Sequence, residues 1–141
     1  MKKIVVIDGQ GGKIGSLLVR RLKAEPGQHE VYAIGSNSMA TSAMMKAGAD
    51  FGATGENALV VNCRNADIIV GPIGIVIADS FIGEITPTMA VVVGQSRAQK
   101  VLLPVNRCNH YVVGAHDLPI SELIEEAIKQ IISIFELEHT E

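Results

Sequence analysis

Cysteine is scarce in this chain: Cys63 and Cys108 are the only two, and no CxxC pair occurs. A disulfide framework, or a zinc site of about four ligands, has little to build on. Cys108 and His110 are close in sequence, but no other residues stand near them at ligand spacing. The cysteines therefore read as reduced thiols, and no metal is expected. A basic block is missing too. The formal net charge is −3, and clustered Lys and Arg are absent. Nucleic acid is thereby argued against, because binding a phosphate backbone needs such clusters. Long apolar runs are also absent. The longest, Ile68 to Ala78, is interrupted by Gly71, Pro72 and Gly74 and flanked by Asp67 and Asp79. It is too short to cross a membrane. The sequence opens on strand-like residues directly after Met1, Lys2 and Lys3, without the pattern of a signal peptide. A soluble, cytoplasmic protein is the expectation.

What is present is apolar. Of 141 residues, 48% are hydrophobic and 19% charged, so one domain spanning 1–141 can close a sizeable core. Such a composition leaves apolar surface for a second copy, and a homodimer is expected. There is no internal repeat and no low-complexity linker.

Strand-like and helical patterns alternate. Lys3 to Ile7, Glu30 to Ile34, Asp67 to Val70 and Val101 to Val105 are short apolar runs of the kind found in parallel strands buried on both faces. Tyr111 to Val113 reads as a short fifth strand at an edge. Ile14, Leu17, Leu18 and Leu22 recur at helical spacing, and that helix ends near Pro26 and Gly27. Further helices are expected over Ala40 to Ala47, over Asn57 to Arg64, and from Thr86 and Pro87, a capping threonine followed by a proline at the first helical position. A last helix carries the stripe Ile120, Leu123, Ile124, Ala127, Ile128, Ile131, Ile132 and Phe135. Ile134 and Leu137 fall off that stripe and are candidates for contact with a second subunit. The fold expected is α/β: a three-layer, doubly wound parallel sheet of Rossmann-like type with strand order 2-1-3-4 and the fifth strand at an edge.

The first strand runs into Asp8-Gly9-Gln10-Gly11-Gly12-Lys13-Ile14-Gly15. The spacing GxxGxxG fits Gly9, Gly12 and Gly15. One glycine makes the tight turn, one lets phosphate oxygens approach the backbone, and one lets helix and strand pack closely. The free N–H groups and dipole of the helix N-terminus then face the anion. A side chain at Gly12 is expected to block that anion without unfolding the chain. A turn whose glycines serve packing alone is the plain alternative.

GQGGKIG resembles the fingerprint of the extended short-chain dehydrogenase branch of the NAD(P)-binding Rossmann proteins. The resemblance implies NAD or NADP as cofactor, with Gly9, Gly12 and Gly15 matching the family's glycines. It stops at two places. Gly35, Ser36 and Asn37 supply no acidic or basic residue after the second strand. The family's Tyr-x-x-x-Lys is also missing, since Tyr32 is followed at that spacing by Ser36 and Tyr111 by Ala115. Along its full length, with IDGQGGKIG, ATGENA, GPIGI and LPVNRCN, the chain resembles a bacterial family of short Rossmann-like proteins. That resemblance implies the fold and no particular activity.

Parallel strands bring the loops at their carboxyl ends to one edge. The predicted rim is Gly9, Gln10, Gly11, Gly12, Lys13, Ile14 and Gly15; Ser36 and Asn37; Gly71, Pro72, Ile73 and Gly74; and Asn106 and Arg107. Arg107 could pair with phosphate or carboxylate. Asp8 is either a cap for the loop backbone or a ligand contact, and Asp79 and Glu84 could supply acid–base chemistry. Three functions stay open: a nucleotide-binding sensor or partner-binding homodimer, a small NAD(P)-dependent oxidoreductase completed by a second subunit, and a transferase or hydrolase using Asp8 and Arg107 on a phosphorylated substrate.

Overall fold

Apolar runs without alternation build the centre of the sheet. In the computed structural model, which describes residues 1–105 and 109–140 and the side chains through residue 138, β1 (Lys2–Asp8) is buried continuously from Ile4 to Asp8. β4 (Ile68–Pro72) is buried along its whole length. A strand buried on both faces needs a layer of helices on each side. The chain supplies them through α1 (Lys13–Ala24), α2 (Ser38–Lys46), α3 (Glu56–Cys63), α4 (Pro87–Gln95) and α5 (Ile120–Thr140). With β2 (His29–Gly35), β3 (Phe51–Thr54) and β5 (Gln99–Leu103), they form a parallel five-stranded sheet of order β3-β2-β1-β4-β5.

Alternate residues of β1 feed two separate cores. Ile4 and Val6 pack with Leu18 of α1, Met44 of α2 and Ile128 of α5. Val5 and Ile7 pack with Leu59 of α3 and with Met89 and Val93 of α4. The result is three layers, with α1, α2 and α5 on one face and α3 and α4 on the other. Each fully buried Ile, Leu or Val side chain contributes roughly 1.5–3 kcal/mol, so these two faces dominate the folding energy.

The local signals explain most element boundaries. Asn37 Oδ1 accepts the Ala40 N–H (2.9 Å) and caps α2. Thr86 Oγ1 accepts the Met89 N–H (3.1 Å), with Pro87 opening α4 as expected. Val91, Val92 and Val93 are helical despite their β propensity, because α4 buries one face made of Met89, Ala90 and Val93, while Val91 is exposed. The Arg21 guanidinium of α1 bonds Glu125 of α5 and ties the last helix to the first.

The four expected strands occupy the order foreseen for them, 2-1-3-4 in their own sequence. The fifth strand was misplaced. Tyr111 to Val113 is not a strand: Tyr111 is 92% exposed and Val113 fully exposed, so neither finds a sheet neighbour or a core. The edge strand is β3, beside β2. It is short, mostly exposed and interrupted by Gly52, so it carries no apolar run. Its pairing is set by register with Tyr32 to Gly35 and by the stacking of Phe51 on Tyr32 (4.8 Å between centroids). At the other edge, among the described residues, β5 pairs with β4 alone.

Gly71 marks the tightest contact between the central strands. A Cβ there would lie 2.3 Å from the Ile7 carbonyl oxygen. Gly71→Ala should therefore lower stability by about 1–3 kcal/mol, as overpacking does. The expected reading is a lower urea midpoint at unchanged slope. A midpoint equal to the parent's would show that β1 and β4 have room to separate.

Candidate functional site

Every strand is parallel, so all carboxyl ends share one edge of the sheet. The winding changes direction between β1 and β4, the point where open α/β sheets form a crevice. The loop after β1 opens directly onto it.

That loop is tied down from within. The Gly9 N–H donates to Asp8 Oδ1 (2.8 Å), and the Gly15 N–H donates to Asp8 Oδ2 (2.7 Å). The Gly12 N–H closes a turn on the Gly9 carbonyl (2.9 Å). Asp8 is 5% exposed. Burial pushes its carboxyl above the ordinary aspartate range, against the opposing bonds from Gly15 and Gly9, and the nearby Glu84 charge adds to the rise. Of the two roles considered for Asp8, the geometry shows the structural one.

The glycines divide by what lies against them. A Cβ on Gly15 would sit 2.5 Å from Met44 Sδ and 2.9 Å from Asp8 Cβ, the close packing of helix on strand. Gly12 has φ 73°, and its Cβ would lie 2.9 Å from the Ala40 backbone. A side chain at Gly12 therefore strains the turn and pushes on α2, contrary to the expectation that it would spare the fold. Gly11 is exposed, with nothing within 4 Å of an added Cβ. Among the described residues no acceptor takes the Gly11, Lys13 or Ile14 N–H, no side chain caps α1, and its first turn holds no acidic residue.

A segment that sequence reasoning only grazed covers this loop. Between the 3-10 turn (Ile73–Val76) and α4, the chain folds over the crevice. Phe81 is 4% exposed and wedges between the loop and Gly74, where a Cβ on Gly9 would be 2.7 Å and one on Gly74 2.9 Å from its ring. Glu84 Oε1 accepts three donors at once: the Gln10 N–H (2.9 Å), Ser36 Oγ (2.6 Å) and Asn37 Nδ2 (2.7 Å). Desolvation raises the Glu84 carboxyl, but the bonds from Ser36, Gln10 and Asn37 outweigh it and hold it below the ordinary glutamate value. Asp79, Phe81 and Ile82 have φ of 68°, 58° and 55°. For residues with side chains such a backbone costs of order 1–3 kcal/mol each, and for β-branched Ile82 it is a genuine outlier. The space left over the loop, lined by residues 8–14 and Phe81, is about 70 Å³.

The remaining rim residues take different places. Gln10, Gly11 and Lys13 are exposed, while Gly9, Ile14 and Gly15 are buried. Ser36 and Asn37 are half-buried at the site, and Asn37 also donates to the Gln10 carbonyl (2.9 Å). Gly71 and Pro72 end β4, Ile73 opens the 3-10 turn, Gly71, Pro72 and Gly74 are buried, and Gly74 lies against Phe81 of the covering segment. Asn106, Arg107 and Cys108 lie outside the described residues. Asp79 is exposed and joins the site only through backbone bonds within its own turn. Phe81 had one signal in sequence, an apolar pair with Ile82 in a segment given no element there.

Little nucleophilic chemistry is available here. The Cys63 thiol is buried on the α3 side and pushed up to about 11 by that burial. Among the described residues, no three His, Cys, Asp or Glu side chains stand together as a metal site, and no helix is long and apolar enough to cross a membrane.

The Asp8 clamp is open to test. Asp8→Asn leaves one carbonyl oxygen for two loop amides and turns an NH₂ toward the other. A loss of about 1–3 kcal/mol is expected, the cost of an unmade buried hydrogen bond. Chemical denaturation should show it, and an unchanged midpoint would remove the clamp. Glu84 carries a pH signature as well. Because its folded pKa is depressed, its contribution is full above the ordinary glutamate range and lost as pH falls through the lower folded value. The Gln10 amide shift should titrate below the range of an exposed glutamate; titration at or above it would mean that the three donors do not hold Glu84 in solution.

Comparison with known proteins agrees with this architecture. A solved structure described as a dodecameric FMN-dependent UbiX-like decarboxylase from Escherichia coli O157:H7 superposes with a TM-score of 0.52 at 17% identity, covering 96% of this chain and 95% of that one. At that identity the likeness shows the fold. No match is found among curated proteins. The resemblance to the short-chain dehydrogenases rests on the glycine loop and gains no support from these matches. One family model matches residues 3–136, and the chain belongs to that family, described as a domain of unknown function (DUF3842).

Proposed function

We propose that this member of the family binds a phosphate-bearing nucleotide at the β1–α1 loop and works as a homo-oligomer. The observation that carries the reading is the unengaged set of Gly11, Lys13 and Ile14 amides at an uncapped helix start, with the Lys13 charge beside them. Such amides, with the helix dipole, are suited to an anion. The resemblance of the loop implies NAD or NADP. The structural neighbour is described as FMN-dependent. A mononucleotide fits this chain better. Ser36 and Asn37, at the end of β2 where a dinucleotide would place its ribose, are engaged by Glu84, and about 70 Å³ over the loop matches a single phosphate better than the ~300–1,000 Å³ of a typical ligand pocket. An oligomer is supported by the open β5 edge and by the groove of about 790 Å³ between that edge and α5, where Ile134 and Leu137 lie. The neighbour is itself described as dodecameric.

Calorimetric titration with FMN, NAD and NADP tests the site. At least one should bind, FMN most tightly, and Gly11→Val should weaken it by roughly tenfold or more, about 1.4 kcal/mol. Gly11 is the residue to change because a side chain there meets nothing in the fold. No binding by any of the three, or full affinity in Gly11→Val, would end the reading. Sedimentation at micromolar concentration should show a species larger than the monomer; monomer alone would remove the oligomer.

A further inference from the structure

The Glu84 carboxylate sits where a ligand's anionic oxygen would be received. Three donors from two different loops converge on its Oε1: one backbone N–H from Gln10, one hydroxyl from Ser36 and one amide from Asn37. A phosphate oxygen, with its several lone pairs, can accept the same three. The donors are therefore already satisfied by an anion belonging to the chain. Asp8 supplies a buried carboxylate nearby, close enough for the charge of the half-buried Glu84 to bear on it. Among the described loop residues the positive charge available in return is Lys13, which is exposed. With Glu84 in place, an incoming phosphate would meet two carboxylates and find the Gln10, Ser36 and Asn37 donors taken.

We infer that Glu84 is an internal competitor of the phosphate. A phosphate group received by the free Gly11, Lys13 and Ile14 amides gains the Gln10, Ser36 and Asn37 donors only when the Glu84 carboxylate leaves them, and the segment that carries it then lifts from the crevice. This rests on the nucleotide-binding reading given above. The covering segment is built for exchange. Its closed form is held by the burial of Phe81 and the three bonds to Glu84, and opposed by the left-handed backbone of Asp79, Phe81 and Ile82. A ligand that replaces the Glu84 bonds with its own removes half of what keeps the segment down. The selectivity that follows is for ligands whose phosphate can make all three bonds. A neutral or singly bonded group cannot displace the carboxylate.

Inorganic phosphate is the probe, and amide chemical shifts of the parent, Glu84→Gln and Glu84→Ala are the readout. Glu84→Gln keeps the size of the side chain and removes its charge; Glu84→Ala removes the competitor. Shifts should centre on Gln10, Gly11, Lys13 and Ile14, and both variants should bind phosphate at least about tenfold more tightly than the parent, the scale expected when a facing charge is removed. Phosphate that shifts these amides in the parent, with no gain in either folded variant, overturns the competitor role and leaves the binding site standing. Phosphate that shifts none of them in any of the three proteins overturns both. If Glu84→Ala does not fold, Glu84→Gln decides the matter alone.

Discussion

Asp8 joins the last residue of a fully buried strand to the first turn of a helix, and the geometry of the loop follows from that junction. A carboxylate with two oxygens is the shortest side chain that can hold the Gly9 and Gly15 amides together. Holding them fixes the helix start against β1, which in turn demands glycine at position 15, where a Cβ would collide with Asp8 and Met44. The glycines of the motif and the aspartate before them thus form one device. Its cost is a carboxyl buried at the end of β1, compensated by backbone donors rather than by a cation.

The same junction separates structure from ligand. Gly9, Gly12 and Gly15 are consumed by packing, so the part of the loop left for a ligand is the stretch between them, at Gly11 and Lys13. Phe81 packs on Gly9 beside that stretch, and Glu84 engages the Gln10, Ser36 and Asn37 donors. The left-handed backbone at Asp79, Phe81 and Ile82 shows that this cover is not the relaxed path of the chain.

The sheet was legible where strands leave continuous apolar runs, fully so in β1 and β4, which are buried on both faces, and still so in β2 and the half-buried β5. Asn37 was read as a turn residue and its helix was expected only from Ala40, whereas the helix start at Thr86 was legible because capping is a local matter. β3 was not, since a strand of four mostly exposed residues leaves no apolar pattern, and Tyr111 to Val113 looked like a strand because β propensity says nothing of whether a neighbour is at hand. At the site, the loop residues, Ser36 and Asn37 could be placed on one edge by topology alone. The meeting of Glu84 with Gln10, Ser36 and Asn37 could not, because it joins residues far apart in sequence through a turn whose path depends on the burial of one phenylalanine.

The position of β1 also sets the order in which the molecule can assemble. Ile4 pairs with Val31 on one side and with Ile68 on the other. β1 thus cannot be covered on both edges until β4, far along the chain, has folded against it. Its first neighbour closes a short αβ unit, its second a much longer loop, and parallel pairing of that kind is slow because the entropy of closure comes before the contacts that offset it. In the interval an apolar segment, Ile4 to Ile7, is exposed on a nascent chain with one edge unpaired, the form most prone to stray association. Pairing of Ile68 to Val70 with β1 is what ends this exposure.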